Sequence, residues 1–309
     1  MSKWKIHPFF SLYHWKGNFS WQKFAARGIG VFGLIWLLIE AVAFFLPEVE
    51  DYIVVQRPNP FTFVVVLSLA CAIWHVRPRV VFRYGLKGRD LNIAIHLVDA
   101  FHTEGALVVP TNLYFVADIN GRMLNAQSIQ GALIRKHYAG KPCDLQRAID
   151  AVLAEENTRI ETISEKWSSG LTVTKYPLGT VVPIKKDGRQ FYMLANTQLT
   201  PDGRASSTED ELLSSLRSLW KYLSTRATFG HIVVPVIGSQ HGRMPMKREQ
   251  IVQHILRTFV ESCRDRTPCT SLTIAVYPPD VEQFDIDINF LDELVRLESK
   301  LAYYAGNES

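Results

Sequence analysis

A chain of 309 residues, 47% of them hydrophobic, with a formal charge of +4 has room for one membrane anchor plus one sizeable domain, or for two small domains. Five positive charges, Lys3, Lys5, Lys16, Lys23 and Arg27, lie in residues 1–27 without a single acid. What remains for the rest of the chain is too little to suggest a nucleic-acid footprint, and basic residues next to a bilayer more often meet anionic lipid. Four cysteines (Cys71, Cys143, Cys263, Cys269) show no CxxC spacing and no histidine pair has HExxH spacing, so a reduced domain without a metal is expected.

In chain order, the first feature is a nearly unbroken apolar run from Gly28 to Leu46, and a second follows from Phe61 to Trp74. The first is long enough for a bilayer core, which takes about 20 residues. Glu40 interrupts it. Its twelve strongly apolar residues contribute roughly −0.3 to −0.6 kcal/mol each, about −5 in sum, against about +3 for one carboxylate, so insertion is expected. The second run is shorter and would span by recruiting neighbours, with Trp74 at the interface. The competing reading, a buried hairpin of a soluble protein, lacks any other segment with an amphipathic face to cover it.

Charge sets the expected orientation. The basic residues 1–27 also carry Trp4, Trp15 and Trp21, the connection holds Glu48, Glu50 and Asp51 against Arg57, and Arg77, Arg79 and Arg83 follow the second run. Positive outer flanks around an acidic connection predict a multi-pass hairpin with both termini cytoplasmic. Residues 1–27 are too long and too aromatic for a signal n-region, and no small-residue cleavage site follows Leu46, so the anchor is expected to stay. Glu40 at membrane depth is either a functional group or a protonated side chain bonded to a neighbouring helix. Both readings argue against a hairpin facing lipid on all sides, and so for a homo-oligomer.

A basic stretch, residues 77–90, reads as a linker. Beyond it strand and helix patterns interleave. Leu91–Val98 alternates, and Ala106–Val109, Thr180–Ile184, Gln190–Ala195, Ile232–Ile237 and Leu272–Tyr277 are short β-rich runs with little polarity, as buried central strands require. Asp144 is the expected N-cap of a helix using Leu145, Ile149, Val152 and Leu153. Thr208 and Glu211 form a capping box, Pro245 opens a helix through Phe259, and 289–303 is the last helix. The sum is a mixed, largely parallel sheet with helices on both faces, with no internal repeat or low-complexity tract.

The string Gly28-Ile29-Gly30-Val31-Phe32-Gly33 has GxGxxG spacing but neither a preceding strand nor a βαβ unit, so small residues there serve helix packing in lipid rather than a dinucleotide. Three loops at strand ends carry more chemistry. Asp99-Ala100-Phe101 follows the first strand. Pro110-Thr111-Asn112 follows the second, and its loop ends at Ser128-Ile129-Gln130-Gly131, where a helix begins. Gly238-Ser239-Gln240-His241-Gly242-Arg243 follows Ile232–Ile237 and runs into another helix. In open α/β sheets ligands collect at the carboxyl ends of strands, and helix N-termini hold phosphate with backbone N–H groups. Gly131, Gly238 and Gly242 allow close backbone approach, and Arg243 adds a charged fork. Two anion loops on one sheet suggest a diphosphate ligand. Singly, each signal has a plainer reading: an Asp after a strand is usually a cap, and a loop His is usually solvated.

The succession Ile95-His96-Leu97-Val98-Asp99-Ala100-Phe101, Ala106-Leu107-Val108-Val109-Pro110-Thr111-Asn112, Ser128–Gly131 and Val234-Pro235-Val236-Ile237-Gly238-Ser239 resembles a macro domain, the ADP-ribose-binding fold. Two membrane helices ahead of it resemble the transmembrane–macro effectors, ThsA-like, of Thoeris anti-phage defence. The resemblance implies an N-terminal two-helix transmembrane hairpin (28–76) followed by a macro-like three-layer α/β/α domain (91–309). It implies that Asp99, with Ala100 and Phe101, meets the adenine, with Tyr277 on the same side and Asn112 near the distal ribose. The Ser128–Gly131 and Gly238–Arg243 loops would wrap the diphosphate. It further implies activation by an ADP-ribose derivative, a histidine–ADP-ribose conjugate, made by a partner TIR-domain protein, with no cofactor. Three departures fit a retuned ligand preference: Val98 replaces a frequent Gly, the first phosphate loop lacks its run of glycines, and Gln240 replaces another Gly.

The expected function is therefore a non-enzymatic effector at the bacterial inner membrane, which senses the signal, self-associates and breaches the bilayer. Two rivals stand beside it. A membrane-tethered ADP-ribosyl hydrolase would need a group to activate water, and no paired carboxylates are available. A passive adaptor would localise other proteins without toxicity.

Overall fold

The structure, a computed structural model, describes residues 21–46, 59–77, 80–86, 89–119, 122–123, 126–156, 160–166, 172–199, 205–226, 230–237 and 246–304. The chain divides into two units, 1–80 and 81–309.

In the first unit, α1 (Trp21–Phe45) has 25 residues, about 37 Å at 1.5 Å per residue. It starts at Trp21, so the expected cytoplasmic segment already contains its first two turns. Among the described residues it is the one helix long and apolar enough to cross a membrane. The second apolar helix, α2 (Asn59–His75), has 17 residues, about 26 Å, which falls short of a hydrocarbon core of about 30 Å. The structure thus gives one helix of spanning length where two were expected. The pair still packs. A Cβ at Gly28 would lie 3.7 Å from the Ala72 Cβ, and Phe61 sits edge-on to both Phe32 and Trp36, with ring centroids 6.0 Å away in each case. Residue numbers rise on α1 as they fall on α2, so the two run antiparallel. Glu40 is bonded within its own helix, the Trp36 Nε1–H donating to Oε1 at 3.0 Å.

The second unit is built on an eight-stranded sheet. Its strands are β1 (Val81–Gly85), β2 (Asn92–Leu97), β3 (Ala106–Asn112), β8 (Val181–Lys186), β9 (Arg189–Leu199), β10 (Ala205–Ser206), β11 (His231–Pro235) and β12 (Ser271–Val276). The order is β1-β2-β12-β11-β3-β9-β10, with β8 also on β9. From β2 to β9 the pairings are parallel, and β1, β8 and β10 are antiparallel. This is the mixed, largely parallel sheet read from the sequence. One edge lies inside the stretch read as a linker: Val81–Gly85 pairs with Asn92–His96, although Arg83 and the flanking charges mask its alternation. Two short pairs were not foreseen, β4 (Asp118–Ile119) with β5 (Arg122–Met123), and β6 (Ile163–Lys166) with β7 (Thr172–Lys175). The second pair is mostly exposed and polar, so no apolar stripe announces it.

Period-two alternation sorts the central strands between two faces. Leu107 and Val109, Phe191, Met193 and Ala195, with Val182 and Ile184, share a cluster with Leu133 and Ile134 of α3 (Ile129–His137) and Leu145, Ile149 and Leu153 of α4 (Pro142–Glu156). Val108 and Leu194, turned the other way, are just as buried. On that side lie α5 (Glu209–Arg226), packed on β9, α6 (Arg248–Asp265) and α8 (Ile288–Tyr304). Trp220 of α5 is wholly buried; its Nε1–H donates to Thr258 Oγ1 of α6 at 3.0 Å and its ring meets Phe259 edge-on. Each large apolar side chain buried this way stabilises by about 1.5–3 kcal/mol.

Helix ends follow local chemistry. The capping box is present: Thr208 N–H donates to Glu211 Oε2 at 2.8 Å, and Glu211 N–H to Thr208 Oγ1 at 3.3 Å. Asp144 is not the cap of α4. The helix starts two residues earlier, at Pro142, because proline suits the first helical position, and Asp144 sits in the first turn, paired with Arg147. Pro245 lies outside the described residues; α6 begins at Arg248. Burial pushes the thiols of Cys263 and Cys269 up to about 11 and about 12, which leaves both as inert core residues.

Gly179, at φ +81°, precedes β8, and a Cβ there would run into the Ser218 side chain of α5. Gly179→Ala is expected to lower the unfolding free energy by about 2 kcal/mol or more, since left-handed strain and a clash add. Urea denaturation of residues 81–309 measures this, and an unchanged midpoint would contradict the packing described here.

Candidate functional site

Because β2, β12, β11 and β3 run parallel, all four release their chains at one edge of the sheet. Leu97 pairs with Val276, and the Val98 N–H donates to Val276 O at 2.9 Å, so Asp99 and Tyr277 leave neighbouring strands side by side. Pro235 is level with Ala275, which sends the chain toward Gly238 from the same edge. Asn112 closes β3 there.

Asp99 caps a 3-10 turn, Ala100–His102, its Oδ1 accepting from the Phe101 N–H at 3.0 Å. Its Oδ2 accepts from Lys136 Nζ at 2.7 Å and lies 3.3 Å from His102 Nδ1. Burial alone would raise the carboxyl; the Lys136 hydrogen bond, the Phe101 N–H and the charges of Lys136 and His102 outweigh it and hold Asp99 below the usual carboxylate range. Lys136 belongs to the last turn of α3 and also lies 4.6 Å from the Phe101 ring centroid. Nothing in the sequence singled it out, since a basic residue near a helix C-terminus is ordinary.

The loop behind Asp99 is held by Arg189. Its guanidinium donates to four backbone carbonyls: Nε to Gly105 at 2.9 Å, Nη1 to Phe101 at 2.9 Å, and Nη2 to Ala100 at 3.1 Å and Thr103 at 2.7 Å. Burial lowers its pKa, partly offset by Asp99. The tight β8–β9 turn, with Asp187 and Gly188 at φ 50° and 76°, delivers Arg189 to this position. Asp187 Oδ2 lies 2.8 Å from His137 Nδ1, and the His137 ring packs against Phe101 and Phe191 at 6.1 and 5.0 Å. Sequence reading missed Arg189 because its partners are carbonyls, which leave no mark on residue type.

Asn112 is buried and committed to its own loop. Oδ1 accepts from the N–H groups of Tyr114 and Val116, both at 3.1 Å, and Nδ2 donates to Val116 O at 2.9 Å. Beside it, Thr111 Oγ1 donates to Gln130 Oε1 at 3.2 Å, which ties the end of β3 to the start of α3. Gln130 is 9% exposed and its Nε2 has no partner. Ser128 caps α3, its Oγ accepting from the Gly131 N–H at 2.9 Å, while the N–H groups of Ile129 and Gln130 have no acceptor inside the helix. That helix start suits an anion. Tyr277, 46% exposed, precedes the short helix α7 (Pro278–Gln283).

The structure therefore brings Asp99, Ala100, Phe101, Asn112, Ser128, Ile129, Gln130, Gly131 and Tyr277 to one edge. Gly238, Ser239, Gln240, His241, Gly242 and Arg243 lie outside the described residues. Among the described residues no group of three His, Cys, Asp or Glu is placed to hold a metal ion.

The Asp99–Lys136 pair has a defined pH signature. A carboxyl depressed in the fold adds stability that is fully present above its unfolded pKa and is lost as pH falls through the folded pKa. Lys136→Met should let Asp99 titrate closer to its ordinary value. The variant's small stability deficit at neutral pH should therefore fade as pH drops through the carboxylate range. Carboxyl NMR titration of Asp99 reads the shift directly, and an identical midpoint in both proteins would remove Lys136 as its cause.

The family described as the macro domain of the Thoeris protein ThsA matches residues 93–277. No curated protein matches. Among solved structures, a mutant Oceanobacillus iheyensis macrodomain with ADPR is 15% identical, with a TM-score of 0.46 over 69% of this chain and 99% of that one. The Oceanobacillus iheyensis macrodomain with ADP gives 15% and 0.45 over 69% and 97%. A Trypanosoma brucei macrodomain in complex with ADP-ribose gives 12% and 0.41 over 66% and 68%. With the family match covering more than half of its length, the chain belongs to the Thoeris ThsA macro-domain family.

Proposed function

We propose that residues 81–309 bind an ADP-ribose-derived signal and that the chain is a membrane-anchored, non-enzymatic effector of anti-phage defence. The observation that carries this reading is the meeting, at one sheet edge, of a carboxylate at the end of β2 and a helix N-terminus at the end of β3. Asp99 offers an acceptor for the exocyclic amine of adenine, and the start of α3 offers N–H groups to a diphosphate. Lys136 and the Phe101 N–H already occupy part of the carboxylate, so the purine takes its remaining lone pairs or displaces Lys136. The Gly238–Arg243 segment, which follows Ile237 in sequence and lies outside the described residues, is the second candidate for wrapping the phosphates.

The site favours binding over hydrolysis. Asp99 is engaged by Lys136 and its own turn, and Asn112 by the 112–116 loop, which leaves neither poised to activate water among the described residues. A TIR-domain partner would supply the signal, a histidine–ADP-ribose conjugate in the reading adopted here. The signal acts by binding a self-associated state more tightly than the resting one, since a ligand shifts an equilibrium only by its differential affinity. The apolar α1 carries the response to the inner membrane; a hairpin with both termini cytoplasmic further requires the shorter α2 to span by thinning the bilayer or recruiting its flanks.

Calorimetry on residues 81–309 with ADP-ribose, NAD and histidine–ADP-ribose, followed by light scattering, tests the sensor. One ligand should bind tightly and enlarge the particle, and Asp99→Ala should weaken it by about tenfold or more, the cost of one charge-assisted hydrogen bond. Absence of binding by all three would sink the reading. For the membrane step, Glu40→Leu in the full chain should retain ligand binding but reduce toxicity in cells expressing the signal. Undiminished killing would count against Glu40.

A further inference from the structure

The two helices of the first unit enclose a groove near one end. Arg27 and Val31, one turn apart on α1, line it with Ala70, Cys71, Trp74 and His75 of α2 around a volume of about 420 Å³. On α2, 70 and 74 share one row and 71 and 75 another, so i,i+4 spacing builds both walls. Small residues bring the walls together, Gly28 meeting Ala72 beside the groove.

Its chemistry is two-sided. Val31 and Ala70 supply an apolar part of its lining, while Arg27 and His75 supply N–H donors. Arg77 adds a second guanidinium, 4.4 Å from the Trp74 ring centroid. Among the described residues of this unit the one acid is Glu40, thirteen residues along α1 from Arg27, about 20 Å away. Among the described residues of either helix no carboxylate lies beside these basic groups. A soluble phosphate compound would use the basic groups and leave the apolar lining bare; a neutral lipid would do the reverse. A headgroup bearing a net negative charge with an acyl chain attached uses both.

We propose that this groove binds an anionic phospholipid such as phosphatidylglycerol, its phosphate on Arg27 and His75 and its first acyl carbons on Val31 and Ala70. This rests on the reading that α1 lies in a bilayer. Indole and guanidinium groups then sit at the headgroup level, where both are favoured. Since the walls come from two helices, the lipid bridges them and holds the shorter α2 beside α1.

The test uses the full chain, stripped of lipid in a zwitterionic detergent and titrated with phosphatidylglycerol or phosphatidylcholine under native mass spectrometry. Phosphatidylglycerol should be retained at least about fivefold better than phosphatidylcholine, the factor expected for a basic residue next to an anionic lipid. Arg27→Gln combined with His75→Gln should abolish that preference, and Val31→Trp, which adds bulk to the lining, should reduce retention of both lipids. Equal retention of the two lipids by the unaltered chain, or a preference that survives the double variant, would overturn the proposal. So would glycerol 3-phosphate competing as well as the lipid, which would mark a site for soluble anions. Flotation with phosphatidylcholine vesicles separates the causes: a chain that does not float refutes the membrane reading itself, whereas one that floats without headgroup preference refutes the groove alone. Flotation of the variants confirms that they still insert.

Discussion

The candidate site depends on one interaction, the grip of the Arg189 guanidinium on four backbone carbonyls between Ala100 and Gly105. A six-residue connection with its carbonyls turned inward would otherwise leave buried acceptors unmatched, each costing about 1–3 kcal/mol. One planar cation with a fixed fork of donors satisfies them together and so sets the path of the chain that follows Asp99. Gly105 belongs to the same arrangement: at φ +109° it passes His231 so closely that a Cβ would come within 2.6 Å of the His231 carbonyl oxygen. From α3, Lys136 and His137 hold the loop's other side. The acidic side chain at this sheet edge is thus fixed through backbone, salt bridge and ring contact at once, the preorganisation that the proposed recognition role requires.

Much of this was legible in the sequence, for physical reasons. Strands buried on both faces, such as Leu107–Val109, must be apolar throughout, and a capping box such as Thr208 with Glu211 is written in residue type. The order of the strand-end motifs is likewise fixed by topology, which is why the family could be recognised from Asp99, Asn112 and Ser128–Gly131. What stayed hidden lacks a compositional signature. Arg189 bonds to carbonyls, Lys136 reaches Asp99 from 37 residues away, and the edge strand Val81–Gly85 is half exposed and basic. Asn112 was legible as a site residue, but its commitment to the N–H groups of Tyr114 and Val116 is a matter of loop geometry.

The first unit divides the same way. Composition alone marks α1 as able to cross a membrane. The second apolar run, already short in the sequence, gives a described helix of 17 residues. Glu40 shows how local bonding changes a reading: an acid that looked in need of a neighbouring helix is met by an indole one turn earlier on its own. It also lies five residues from the end of α1, about 8 Å along the axis, where the cost of a polar group in the bilayer falls.

The Lys136–Asp99 contact bears on how a polyanion can be admitted at all. A bare carboxylate repels each negative charge of a diphosphate placed on the order of 8 Å away by about 0.5 kcal/mol in water and about 2 kcal/mol at an effective dielectric of 20. With an ammonium 2.7 Å from the carboxylate oxygen, the charge of the pair at that point of the sheet edge is close to neutral. Under the proposed function, the chain would keep an acid for reading a base and still admit phosphates to the same edge.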